Sequence, residues 1–146
     1  MYNLIFKRRS VRFFKDTDIS KVDMREILRA GMWAPSAKNR QPWKFIVVKG
    51  ESKKTALALM EKGIERSEKG EGVLAGAPEL FTNARFTLQC MKQAPVLVFI
   101  VNPQGRPLTD NWTAAEKIHE LSDVQAIGAA AENMARHVLQ LAEPSK

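Results

Sequence analysis

Two segments of this chain are apolar without interruption, and three others repeat apolar residues at helical spacing. The segments Lys44-Phe-Ile-Val-Val-Lys and Pro95–Val101 are rich in aromatic and β-branched residues and predict strands. Neither alternates, so both read as central strands covered on two faces by helical layers. From Asp23 to Trp33 the apolar positions Met24, Ile27, Leu28, Met32 and Trp33 fall one turn apart, which predicts an amphipathic helix. Ser20 followed by Asp23 has the pattern of its N-cap, with an acid beside the exposed amides. A second helix runs from a cap at Ser52 to about Arg66, with Leu57, Met60 and Ile64 facing a core. The third is alanine-rich, capped by Asp123, with Val124, Ile127, Ala131, Met134, Val138 and Leu141 forming an apolar stripe. Gly128, Ala129 and Ala130 let another helix come close there, either within the core or across a dimer seam.

The remaining segments are less regular. Asn3–Arg9 is compatible with a short helix, and Ser10-Val-Arg-Phe-Phe alternates, which predicts an extended stretch with Ser10 and Arg12 on one side. Asp16–Ile19 reads as a connector. Ser67–Gln89 contains Gly70, Gly72, Gly76 and Pro78 and predicts an irregular excursion, with a helical turn or two around Pro78–Ala84. Such a stretch is either a binding loop or surface disorder. Asn102-Pro-Gln-Gly-Arg-Pro turns the chain, and Trp112 lies in a weakly patterned segment leading to His119. Two clear strands are too few for a stable sheet. Either Ser10–Phe14 or another extended segment joins them, or a second chain does.

Between the first long helix and the first strand lies WAPSAKNRQPW, Trp33 to Trp43. Pro35 ends the helix by restricting Ala34, and Pro42 directs Gln41 toward an extended conformation. The loop presents Ser36, Asn39 and Gln41, whose side chains both donate and accept hydrogen bonds. Two readings are open: polar side chains satisfying their own backbone, or a binding loop held between two rigid elements.

Composition narrows the class. A chain of 146 residues, 45% hydrophobic and 27% charged, suits one globular domain over residues 1–146. No apolar run reaches the length of a membrane span, and charge follows the short apolar patch at the N-terminus, the reverse of a signal peptide. The single cysteine, Cys90, excludes an internal disulfide and fits a reducing cytoplasm, where it reads as a small buried residue. His119 and His137 have no patterned nucleophile or carboxylate partner and, with one cysteine, make no metal-ligand set. The net charge of +7 is concentrated at Lys7, Arg8, Arg9, Arg12 and Lys15. That cluster is either a solvated basic face or a docking site for an anion. Nucleic acid is disfavoured, because no zinc-ligand spacing or recognition helix accompanies the charge.

Arg8-Arg-Ser-Val-Arg-Phe-Phe, followed by Ala34-Pro-Ser-Ala-Lys-Asn-Arg-Gln-Pro-Trp-Lys-Phe, resembles the nitroreductase family of FMN-dependent oxidoreductases. Asp123–Met134 is similar to that family's dimer-forming helix. The resemblance implies an α+β sandwich, a central sheet flanked by helices, and an intertwined homodimer with FMN held by both subunits. It implies flavin contacts from Arg8, Arg9, Ser10 and Arg12, and from Pro35, Ser36, Ala37, Asn39 and Gln41. Arginine's fork of donors suits a phosphate dianion, and Asn39 and Gln41 suit the carbonyl and imide edge of the ring. Arg12 is the cation that would stabilise negative charge gathering on the reduced ring. The implied activity takes electrons from NADH or NADPH to a nitroaromatic, quinone or related small acceptor, in the cytoplasm, with no protein nucleophile and no metal. After Asn133-Met the sequence departs from the family, whose members continue into a further strand and an arm reaching the partner. The alternative is therefore a non-catalytic or weakly flavin-binding dimeric remnant.

Overall fold

A computed structural model describes residues 2–71, 75–105 and 111–142 of the protein. The elements, in chain order, are α1 (Tyr2–Lys7), α2 (Lys21–Met32), β1 (Lys44–Lys49), α3 (Gly50–Glu68), α4 (Phe81–Gln93), β2 (Val96–Val101) and α5 (Ala114–Ala142). Short 3-10 turns occupy Ala37–Asn39 and Pro78–Leu80. The class is α+β, helix-rich with a small sheet in which β1 pairs with β2.

The chain clusters into two compact units. The first comprises residues 1–9, 20–46 and 99–146; the second comprises 10–19 and 47–98. In the first, α1 and α2 pack on α5. Ser20 caps α2 as its sequence predicts, with its hydroxyl oxygen accepting the Asp23 amide at 3.0 Å. Ile27 and Ala34 are buried with Ala126, Ala130 and Met134 of α5, and Ala130 is fully excluded from solvent. The two helices approach over Gly31, where an added Cβ would lie 2.9 Å from Met134 and 2.9 Å from Phe45. Asn133 Nδ2 also donates to the Ala30 carbonyl at 3.3 Å. Met32 and Trp33, expected on the core face, are instead exposed, because the buried stripe follows Ile27 and Gly31.

In the second unit α3 packs on α4. Leu57 and Ile64 of α3 are buried with Leu88 of α4 and with Ala94 and Leu97. The segment carrying Arg12 is tied down at its far end, where Lys49 Nζ lies 2.8 Å from Asp18 Oδ2. That hydrogen bond, with a second from the Ile19 amide, holds the Asp18 carboxyl below its ordinary pKa. Arg85 grips Glu68 through both oxygens, Nε to Oε1 at 2.7 Å and Nη2 to Oε2 at 2.5 Å. The Glu68 carboxyl is likewise lowered.

Several expectations are corrected. Ser10–Phe14 joins no sheet and is exposed throughout; Val11, Arg12 and Phe14 line a cavity with residues of α4 instead. Among the described residues β1 is not covered on both faces, since Ile46 and Val47 are each 39% exposed. An apolar run measures how much cover a strand needs and is silent about which chain supplies it. Helix α3 starts at Gly50 rather than at a Ser52 cap. The excursion over Ser67–Gln89 contains most of α4, which the glycines and the proline before it masked; residues 72–74 lie outside the described set.

Asp123 is not a cap, because α5 begins at Ala114. Its start is a capping box. Thr113 Oγ1 accepts the Glu116 amide at 3.3 Å, and Glu116 Oε2 accepts the Thr113 amide at 2.9 Å and its hydroxyl at 2.8 Å. Of the expected stripe on α5, Met134 is buried and Ile127 half-buried, and the rest is displaced. Asp123, Ala126, Ala130 and Met134 face inward, while Val124, Val138 and Leu141 are exposed.

Two glycines test this packing. Gly31→Ala gains helix propensity but forces Met134 and Phe45 aside, and overpacking of that kind costs about 1–3 kcal/mol. Gly63 in α3 has nothing within 4 Å of an added Cβ, so Gly63→Ala should stabilise by up to about 1 kcal/mol. Urea unfolding should show the two variants moving in opposite directions. A stabilised Gly31→Ala protein would refute the close α2–α5 approach.

Candidate functional site

The stretch between α2 and β1 is a strained turn. Lys38, Asn39 and Gln41 have φ of 53°, 55° and 49°, the left-handed region that costs most L-residues about 1–2 kcal/mol each. Asparagine tolerates it best; lysine and glutamine have no such excuse. Gln41 therefore departs from the extended conformation expected before Pro42. Local bonds hold the turn. The Asn39 amide donates to the Ser36 carbonyl at 3.0 Å and the Arg40 amide to the Ala37 carbonyl at 3.1 Å. Ser36 Oγ accepts the Gln41 amide at 2.9 Å, and Asn39 Oδ1 accepts Gln41 Nε2 at 3.2 Å. Pro42 is buried beneath it, and the rings of Trp43 and Phe45 stack with centroids 6.4 Å apart. Pro35, Ala37, Asn39 and Gln41 are exposed and Ser36 is half-buried, so the turn displays mixed donors and acceptors on a fixed backbone.

Arg40, which the sequence reading passed over, anchors this turn. Its Nη2 lies 3.1 Å from Asp123 Oδ2 and 3.3 Å from Gln104 Oε1. The Asp123 side chain is only 4% exposed and that of Arg40 29%. A cleft of about 170 Å³ opens beside the pair, lined by Trp112, Glu116, His119 and Glu120 among others. The available signal was an aspartate in the interior of an alanine-rich helix, where it is a poor helix former.

The basic segment is divided between the two units. Arg8 and Arg9 belong to the first, Ser10 and Arg12 to the second. Arg8 Nε lies 3.3 Å from Glu132 Oε2, and Arg136 Nε lies 2.9 Å from Glu132 Oε1, so one carboxylate sits between two cations. Arg9 Nη1 donates to the carbonyls of Phe6 at 2.7 Å and Arg8 at 2.8 Å. A guanidinium has five N–H groups, so neither contact exhausts its side chain. Ser10 is exposed. The Arg12 guanidinium stands 6.0 Å from the centroid of the Phe86 ring, within cation–π range. It borders a cavity of about 260 Å³ with Val11, Phe14, Cys90 and Leu97. Among the described residues, no group of three or more potential metal ligands converges, and no helix is long and apolar enough to cross a membrane.

Comparison with known proteins places this geometry. Residues 5–136 match the nitroreductase family. The chain belongs to that family. It is 33% identical over 111 residues to an iodotyrosine deiodinase of Thermotoga neapolitana, covering 73% of this chain and 58% of that protein. It is 40% identical over 68 residues to an NADH dehydrogenase of Thermus thermophilus, covering 47% of this chain and 33% of that one. Among solved structures, an FMN-dependent nitroreductase from Clostridium difficile R20291 superposes with a TM-score of 0.59 at 25% identity, over 97% of this chain and 61% of its own. The chain thus spans less than two thirds of each of these three relatives.

Proposed function

We propose that this chain binds FMN and serves as an NADH- or NADPH-dependent oxidoreductase acting on a nitroaromatic, quinone or related small acceptor. The observation that carries the reading is the left-handed turn, which fixes Ser36, Asn39 and Gln41 as neighbouring donors and acceptors on a strained backbone. Strain of this kind persists where the surrounding structure holds it, and it gathers at binding sites. The donor set fits the cofactor. Asn39 and Gln41 are matched to the carbonyl and imide edge of a flavin ring. Arg8, Arg9 and Ser10 are matched to its phosphate, with Pro35 and Ala37 supplying backbone at the turn. Arg12 is the cation assigned to charge that gathers on the ring. When bound, the flavin supplies two-electron redox chemistry. The protein's part is then to bind, orient and stabilise charge, without a nucleophile of its own. Family membership and the FMN-dependent structural relative support this assignment.

The test is a titration of apo protein with FMN, followed by flavin fluorescence. Arg12→Ala and Asn39→Ala should each weaken binding by about 1–3 kcal/mol, the range for a lost hydrogen bond to a charged or buried group. If both variants bind as the parent does, the site lies elsewhere.

The same reading includes a homodimer. One face of α5 carries Leu121, Val124, Gly128, Ala131, Ala135 and Val138, all exposed in the single chain. Apolar and small residues in such a row admit a second helix closely, and exposed apolar patches of this extent mark interfaces. Sedimentation at micromolar concentration should show a dimer, and Ala131→Arg should shift it to monomer. A parent protein that sediments as a monomer would overturn the assembly.

A further inference from the structure

Asp123 is a carboxylate buried in the interior of a helix, ion-paired to Arg40. It caps nothing, and aspartate disfavours helix interiors. Nor is net stability an adequate reason, since desolvation offsets most of the attraction within a buried pair. What the pair does is connect. Arg40 is the right-handed residue in a turn whose neighbours Lys38, Asn39 and Gln41 are left-handed. The turn's own hydrogen bonds join residues 36 to 43 only to each other, so they do not by themselves tie its left-handed backbone to a neighbouring element. The Arg40 guanidinium instead reaches Asp123 on α5 and Gln104 in the turn after β2. Both acceptors are reached by the same nitrogen, Nη2, so that end of the guanidinium is held from two separate elements.

We propose that Asp123, acting through Arg40 with Gln104 as second acceptor, is a positioning residue. It holds the 36–41 turn in its strained geometry and so sets where Asn39 and Gln41 present their side chains. The ligand named for that turn rests on the flavin reading; the positioning does not.

Hydrogen exchange in the full chain separates the two. The reporters are the backbone amides of Asn39, Arg40 and Gln41, each hydrogen-bonded within the turn. The informative variant is Arg40→Met with Asp123→Leu, which removes both charges and leaves neither buried alone. Apolar replacement of a buried pair tends to preserve or raise stability, so this protein should melt close to the parent. Its turn amides should nevertheless exchange at least about tenfold faster, and its FMN dissociation constant should rise by about tenfold or more. A purely structural pair predicts recovery of both. Exchange within about twofold of the parent, in a folded double variant, overturns the proposal. Should that variant not fold, Arg40→Lys keeps the charge on a shorter side chain that lacks the planar guanidinium and so withdraws it from Asp123 and Gln104. Faster exchange at the same amides then supports the proposal, and parental exchange overturns it. If the parent binds no FMN while the amides respond as expected, the positioning stands and the flavin assignment falls.

Discussion

The close approach of α2 to α5 is the constraint from which the first unit is built. It depends on Gly31 having no side chain, since Met134 and Phe45 already occupy that space. It depends equally on Ala126 and Ala130 presenting small surfaces opposite. Burying Ile27 and Met134 there contributes about 1.5–3 kcal/mol each. The contact also decides where the chain goes next. With α2 fixed by its buried stripe, its end at Met32 fixes the start of the turn, and Pro42 and the Trp43–Phe45 stack fix the turn's exit into β1. The same α5 that covers Gly31 carries Asp123, which holds Arg40, and Glu132, which holds Arg8.

A turn with three left-handed L-residues is not what local preference selects. Asn39 alone is suited to it. Gln41 is held there by the Ser36 hydroxyl, which accepts its amide, and Lys38 by its place between Ser36 and Asn39, whose amide the Ser36 carbonyl accepts. Pre-organisation follows: the backbone cost is met on folding, and a ligand meeting the turn has little left to order. The basic segment is organised differently. Glu132 shares its carboxylate between Arg8 and Arg136, which orients a guanidinium while leaving much of the local positive charge in place.

Much of this was legible from residue patterns, and the failures are instructive. The boundaries of α2, β1 and β2 follow from capping and from runs of β-branched residues, both local effects. Helix α4 was obscured because Gly70, Gly72, Gly76 and Pro78 crowd the stretch before Phe81–Gln93 and drew the whole segment into one irregular reading. The start of α5 was misplaced because Asp123 has the chemistry of a cap, while the true box at Thr113 and Glu116 sits in a stretch of weak period. The candidate turn was visible from its prolines and polar residues, but its left-handed backbone was not. No pattern reports that Gln41 donates its amide to Ser36 Oγ. The Arg40–Asp123 pair, 83 positions apart in sequence, is a tertiary contact: an aspartate in an alanine-rich stretch is a hint, and nothing local names its partner.

We propose that the Ser36–Gln41 turn and the Arg8–Arg12 segment each contact FMN. Titrating FMN into the isotopically labelled protein and following backbone amide resonances tests it most directly. The largest shifts should fall at residues 36–41 and 8–12. Saturable binding that leaves either segment unmoved would contradict it.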